Sequence, residues 1–402
     1  MPYHPALESV STFREQVIGK GVCGLKGIAR SRLLAVAGFA GMSLLVAAGC
    51  GQATDGGGGG NDGGGGGGGG SEAASQINGA GASFPAPIYE QMFQELAGSD
   101  GPEVNYQSIG SSGGREQFIN KSVAFGASDA PMDDEEEKAA GGKPKHIATV
   151  GGAVVAAYNL EELGDTPLNL TGEVLADIFL GNITNWNDPA IAELNPNATL
   201  PDAEISVVHR SDGSGTTNIF TSYLAAVSPA WNDGPGPGDE LQWPTGVGAD
   251  GNEGVAGQVQ QTQNSIGYVG LEYASENDIA FANIGEEAGS FVQPSVGTAQ
   301  TTIEQAGENG DIPDDLKVTI SSLAPFEGDA YPITGLTWML VRQDMEDLAE
   351  CKAVAEAAWY VTHDGQSFAE DLNYVEIPSD ITAINEETIK GMEAGGEKCY
   401  ES

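Results

Sequence analysis

Apolar positions along the chain follow two periods. Short runs rich in branched residues, Ile147 to Tyr158, Ser265 to Val269 and Pro332 to Val341, predict β-strands. Gly172 to Leu180 and Met345 to Val361 instead space their large apolar residues three and four apart, which predicts helices. The two patterns alternate from about Gln76 to Ser402, and such alternation predicts an α/β fold. That stretch is long enough for two lobes. Before it the pattern breaks: Leu33 to Ala48 is apolar throughout, and glycine then fills Gly56–Gly60 and Gly63–Gly70.

Three places predict strand, small-residue turn and helix in succession. The fullest is Ile205–Val208, then Arg210-Ser211-Asp212-Gly213-Ser214-Gly215-Thr216, then an apolar helical spacing from Thr217 to Leu224. A helix beginning there aims unpaired N–H groups and its positive dipole end at whatever the turn encloses. With Gly213 and Gly215 permitting close backbone approach and Arg210 supplying charge, that object is expected to be an oxyanion. The lysine of a nucleotide-binding P-loop is missing. The second place is Gly79–Pro87 before the amphipathic Ile88–Phe93, where Ser83 and the Phe84 N–H stand near a helix start. The third is Val104–Gln107, the turn Ser108–Gly114 with Ser111, and a helix from Arg115 to Ile119. Each serine alone reads equally as a helix cap.

A fourth segment, Phe125–Pro131, ends an apolar run at Asp129. An ionised carboxylate only accepts hydrogen bonds, so it suits an anion that carries a proton. Hydrogen phosphate does and sulfate does not, so Asp129 would admit one and repel the other. Capping the turn before Pro131 remains an alternative for it.

These segments, with Gly254–Tyr268, Leu180–Ile191 and Leu194-Asn195-Pro196, occur in an order that resembles the phosphate-binding proteins of bacterial ABC phosphate importers, over roughly residues 76–390. The resemblance implies a two-lobed fold of the type II periplasmic-binding kind, with a hinge and a ligand cleft between the lobes. Lobe I would comprise 76–150 plus 333–402 and lobe II 151–332. The phosphate ligands implied are Ser83, Phe84, Ser111, Asp129, Arg210, Ser214, Gly215 and Thr216, with Asp212 holding the arginine fork. The implied partners are inorganic phosphate and the membrane permease subunits of an importer with separate ATPase subunits. The protein would act as a monomer, without a cofactor and without catalysis.

The N-terminal pattern predicts a secretory signal of lipoprotein type over residues 1–49, with Lys26, Arg30 and Arg32 before the apolar run. Cys50 would then be lipidated, and 50–75 would be a flexible tether holding the domain at the outer face of the plasma membrane. The apolar run is short for a span of about 20 residues. Of four cysteines, Cys23 would leave with the signal, so Cys351 and Cys399 remain as a pair in an oxidising compartment. A disulfide and two buried thiols are both open to them.

Charge adds a further constraint. There are 58 acidic and 16 basic side chains, a net charge of −42. That excludes nucleic acid as a partner, and it requires a locally positive cleft to capture an anion. The histidines His4, His146, His209 and His363 show no metal-ligand spacing, and Asp133–Glu137 fits the first turn of a helix better than a calcium loop. Two other readings use the same oxyanion site. One is a phosphatase or esterase with Ser83, Ser111 or Ser214 as nucleophile, which would need a nearby general base. The other is a binding protein for another oxyanion. So acidic a surface is suited to high salt, where screening is strong. Thermal stability and the rate of phosphate capture are both expected to rise from low to molar salt in melting and stopped-flow series. A fall in both would contradict this.

Overall fold

The computed structural model describes residues 73–164 and 166–401. Its first run is β1 (Gln76–Gly81), α1 (Ala86–Gly98), β2 (Glu103–Ser108), α2 (Ser111–Ile119), β3 (Phe125–Ser128), α3 (Asp134–Ala140) and β4 (Pro144–Asn159). Next come β5 (Asn169–Thr171), α4 (Gly172–Leu180), α5 (Pro189–Leu194), β6 (Ser206–Arg210), α6 (Gly215–Val227) and α7 (Pro229–Asp233). They are followed by β7 (Val247–Ala249), α8 (Gly251–Gln261), β8 (Ser265–Gly270), α9 (Leu271–Glu276), β9 (Ala280–Phe281), β10 (Asn283–Gly285) and α10 (Val296–Glu308). The chain closes with β11 (Thr334–Arg342), β12 (Asp344–Met345), α11 (Leu348–Thr362), α12 (Ser379–Gly391), β13 (Glu393–Ala394) and β14 (Glu397–Lys398).

The long strand β4 organises this order. Nearly every one of its residues is buried, which a strand covered on both faces requires. It pairs with β11 through Ala153 and with β8 from Val154 onward, both antiparallel. The main sheet therefore runs β2-β1-β3-β11-β4-β8-β6-β7, with β9 also on β4. In the first half, β1 is parallel to β2 and β3. In the second, β6 is parallel to β8 and β7. The α/β expectation holds.

The β1–β3 set runs with β4 and the β6–β8 set against it, so the carboxyl ends of each set, where open α/β sheets bind ligands, point toward the other half. Ser83 follows β1, Ser111 follows β2, Asp129 follows β3, and Arg210 ends β6. The four turns picked out in the sequence thus come from both halves of one sheet.

Local features correct some expectations and bear out others. The helix expected from Arg115 already starts at Ser111, because Gly110 takes a φ of 81° as its N-cap and the backbone turns one residue earlier. Asp133 caps α3 through a capping box with Glu136, so the acidic run is a helix start. In the glycine- and proline-rich stretch Gly234–Gly238, Gly236 is buried and its carbonyl accepts from Trp231 Nε1 at 2.9 Å. Ala74 and Ser75, expected in the tether, already bond the folded body: Ala74 N–H donates to Ala349 O and Glu103 N–H to Ser75 O, each at 2.9 Å. Cys351 is bonded to Cys399, with Cα atoms 5.5 Å apart, fastening the C-terminal hairpin to α11. The expected signal (1–49), the Cys50 lipidation and the glycine tract lie outside the described residues. No helix among the described residues is long and apolar enough to cross a membrane.

Candidate functional site

Arg210 fixes the centre. It is 3% exposed, and so buried a guanidinium must be paired. Asp212 grips it in a fork: Nε donates to Oδ1 at 2.7 Å and NH2 donates to Oδ2. Gly251 N–H donates to the same Oδ1 at 3.2 Å. Although burial favours the neutral acid, the arginine wins and holds the Asp212 carboxyl below its ordinary range. The remaining arginine nitrogen, NH1, reaches Thr216 Oγ1 at 3.5 Å.

The hydroxyls around Arg210 carry a consistent polarity. Ser83 Oγ accepts from both the N–H and the Nδ2 of Asn252, at 3.1 and 3.0 Å. Ser111 Oγ accepts from Asp129 N–H at 3.2 Å and from Gly215 N–H at 3.0 Å. Thr216 Oγ1 accepts from Asn252 Nδ2 at 3.0 Å and from the arginine. A hydroxyl has two acceptor sites and one O–H. In all three the acceptor sites are taken, so what each offers a ligand is its proton.

Asp129 is the counterpart among these donors. It is 1% exposed and accepts from Thr337 Oγ1 at 2.7 Å. Thr337 sits where the pairing of β11 with β4 slips between Thr337 and Trp338, and such an irregularity can re-aim a side chain. Burial pushes the Asp129 carboxyl up from 3.8 to about 7, against the lowering pull of Thr337, Arg210, Arg115 and Thr216.

Three tyrosines that sequence reasoning missed hold the Ser83 turn. The hydroxyls of Tyr106, Tyr273 and Tyr374 donate, each at 2.6 Å, to the consecutive carbonyls of Ala82, Ser83 and Phe84. Phe84 is buried, its ring edge-on to Tyr374 at 5.6 Å. The Tyr268 hydroxyl accepts from Arg210 N–H at 3.1 Å and bonds Thr217 Oγ1 at 2.7 Å. Asn252 was also missed. Its Oδ1 accepts from Gly270 N–H at 3.0 Å, so one side chain joins the turn after β1, the start of α6 and the end of β8. A lone Asn after a glycine has no distinctive spacing, and only the fold shows what it reaches. Glu272 is a buried acid of the same region. Burial, with Asp129 and Glu276 adding to it, drives its carboxyl well above the ordinary range.

The structure brings Ser83, Ser111, Asp129, Arg210, Gly215 and Thr216 into one hydrogen-bonded cluster, with Asp212 behind the arginine. Ser214 plays a different part: its Oγ caps α6 by accepting from Thr217 N–H at 3.1 Å, and its own N–H donates to Asp239 O at 3.0 Å. Gly215 must be glycine, since a Cβ there would lie 2.6 Å from both Asp129 Cβ and Ser111 Oγ. His209 turns aside, stacking on Trp243 at 4.8 Å, with Nδ1 2.9 Å from Arg210 O. Among the described residues, no group of His, Cys, Asp or Glu is arranged to hold a metal ion.

The fold is that of the two-lobed periplasmic-type binding proteins. A family model described as a PBP superfamily domain matches residues 67–357. The phosphate-binding protein PstS of Pasteurella multocida is 43% identical over 309 residues, covering 77% of this chain and 88% of its own. That of Haemophilus influenzae is 40% identical over 310 residues, covering 77% and 91%. The chain belongs to the PBP superfamily, among its PstS phosphate-binding proteins. A solved phosphate-binding protein from Stenotrophomonas maltophilia superposes with a TM-score of 0.60 at 20% identity, covering 79% of this chain and 93% of its own. A high-affinity periplasmic phosphate-binding protein solved with phosphate also gives 0.60, at 19% identity, covering 79% and 98%.

The Asp129 environment makes a prediction about stability. Between pH 3.8 and about 7 the folded, ligand-free chain keeps a proton that the unfolded chain has lost. That contribution to stability is full below 3.8 and declines as pH rises, by about 1.4 kcal/mol per pH unit. Asp129→Asn does not titrate, so in phosphate-free buffer its stability relative to wild type should climb with that slope and level off above about pH 7. Urea unfolding of both proteins across the range checks this, and a flat difference would contradict it.

Proposed function

We propose that this protein is an extracytoplasmic receptor that binds hydrogen phosphate between two lobes and delivers it to the permease of an ABC importer. The carrying observation is the polarity of the cluster: three hydroxyls with their acceptor sites filled, one guanidinium already paired with Asp212, and the buried carboxylate of Asp129 set among them. Donors alone would suit any oxyanion. One acceptor among them suits an oxyanion carrying one proton, which favours phosphate over sulfate.

The ligands on this reading are the Ser83, Ser111 and Thr216 hydroxyls, the Phe84 N–H, the α6 start at Ser214 and Gly215, and Arg210, with Asp129 accepting the phosphate proton. The division into 76–150 plus 333–402 and 151–332 is supported by β4, which changes partner between Ala153 and Val154, and by β11, which begins at Thr334. Lipidation at Cys50 and a glycine tether would hold the receptor beside its permease. Binding without catalysis is favoured over hydrolysis by the histidines. His146 accepts from Met132 N–H, His209 bonds Arg210 O, and His363 bonds Trp359 O, so none of these contacts is with a cleft serine.

Calorimetric titration of the purified, ligand-stripped protein with phosphate tests the reading. Saturable one-to-one binding is expected. Ser111→Ala, which removes a donor to a charged ligand, should weaken it by roughly 10- to 100-fold. No phosphate heat from the wild type would overturn the proposal.

A further inference from the structure

A second ion pair joins the two halves of the sheet beside the anion site without belonging to it. Arg115, in the second turn of α2, is 7% exposed. Its Nε donates to Glu136 Oε1 at 2.9 Å and its NH1 to Ser128 Oγ at 3.1 Å. Both partners lie in the first half, so the guanidinium is held in place from its own side. Its NH2 crosses to the second half and donates to Asp239 Oδ2. That oxygen also accepts from Ser112 Oγ at 3.1 Å. The carbonyl of Asp239 in turn accepts from Ser214 N–H, and Ser112 N–H donates to Gly213 O at 3.1 Å. The approach is close enough that a Cβ on Gly213 would lie 2.1 Å from Ser112 Oγ.

We propose that Arg115 and Asp239 form a latch that closes the two lobes over the bound anion and sets how long it stays. The inference rests on the phosphate-receptor reading and adds positioning residues that do not touch the ligand. Asp239 acts through Ser214 and Gly213, fixing the loop that presents Arg210 and the start of α6. Arg115 acts through α2, whose first residue is Ser111.

The asymmetry of the pair suits repeated opening. When the lobes part, Arg115 keeps Glu136 and Ser128, so no buried cation is orphaned. Asp239, with a side chain 24% exposed, returns to water at little cost. Only the crossing bonds break. They form after the anion has entered, so they should govern departure more than arrival.

The test is a kinetic double-mutant cycle on the full chain, using Arg115→Gln, Asp239→Asn and the double variant, with inorganic phosphate as the probe. Stopped-flow dissociation should quicken by about 10- to 100-fold in each single variant, as expected for losing a charged hydrogen bond. The double variant should be no faster than the faster single variant. In Asp239→Asn association should stay within about twofold of wild type and the preference for phosphate over sulfate should be unchanged, because Asp239 does not meet the ligand, whereas Arg115→Gln also removes a cation that acts on Asp129. Lys121→Gln, which removes the exposed pair with Glu346, controls for a general loss of charge.

Wild-type dissociation rates in Asp239→Asn would overturn the latch and leave the receptor intact. So would fully additive effects, or a shift in phosphate-over-sulfate preference in Asp239→Asn. If the wild type itself binds no phosphate, the receptor reading fails and the latch falls with it.

Discussion

Burying one guanidinium constrains everything else in the cleft. Arg210 is out of water, and an unpaired buried cation would cost several kcal/mol. Asp212 meets that need two residues along the chain, and Gly251 N–H steadies the acid. Most of the arginine's charge is thereby balanced before any ligand arrives, and NH1 is left facing Thr216. On the proposed reading an arriving anion would meet an oriented fork and need no rearrangement of charge, which lowers the cost of binding.

The hydroxyls extend the same logic. A serine in water both donates and accepts, and so does not discriminate between ligands. Asn252 and the backbone N–H groups of Asp129 and Gly215 occupy the oxygens of Ser83, Ser111 and Thr216, converting them into donors. On the proposed reading selectivity falls to Asp129, whose burial raises its carboxyl to about 7. Near neutral pH the acid and a hydrogen phosphate can share one proton, whereas an ionised Asp129 facing sulfate has nothing to accept. The local arrangement works inside a strongly acidic protein because charges beyond about 8 Å are screened at physiological ionic strength.

Much of this was legible in the sequence. Arg210 to Thr216 and the turns at Ser83, Ser111 and Asp129 are contiguous, and their chemistry follows from residue type, glycine and a following helix. The role of Asp212 came from the family resemblance, and the structure bears its pairing with Arg210 out. What stayed hidden depends on distant chain. Asn252 meets Ser83 across 169 residues, Thr337 meets Asp129 across 208, and Tyr374 meets Phe84 across 290. The Arg115–Asp239 bond spans 124. None of these residues has a local pattern that distinguishes it from an ordinary polar or aromatic position. The early start of α2 escaped because Ser111-Ser112-Gly113-Gly114 reads as a loop by propensity, while the φ of Gly110 and packing against β1 and β3 make it helix.

The central claim is that Asp129 reads the proton on the anion. The most direct measurement is the ratio of phosphate to sulfate affinity, by calorimetry above the titration of Asp129 at about pH 8, for wild type and Asp129→Asn. The account predicts a strong preference for phosphate in the wild type. In the variant, an amide can donate to sulfate, so the preference should narrow by about tenfold or more. Equal binding of both anions by the wild type, or an unchanged ratio in the variant, would contradict it.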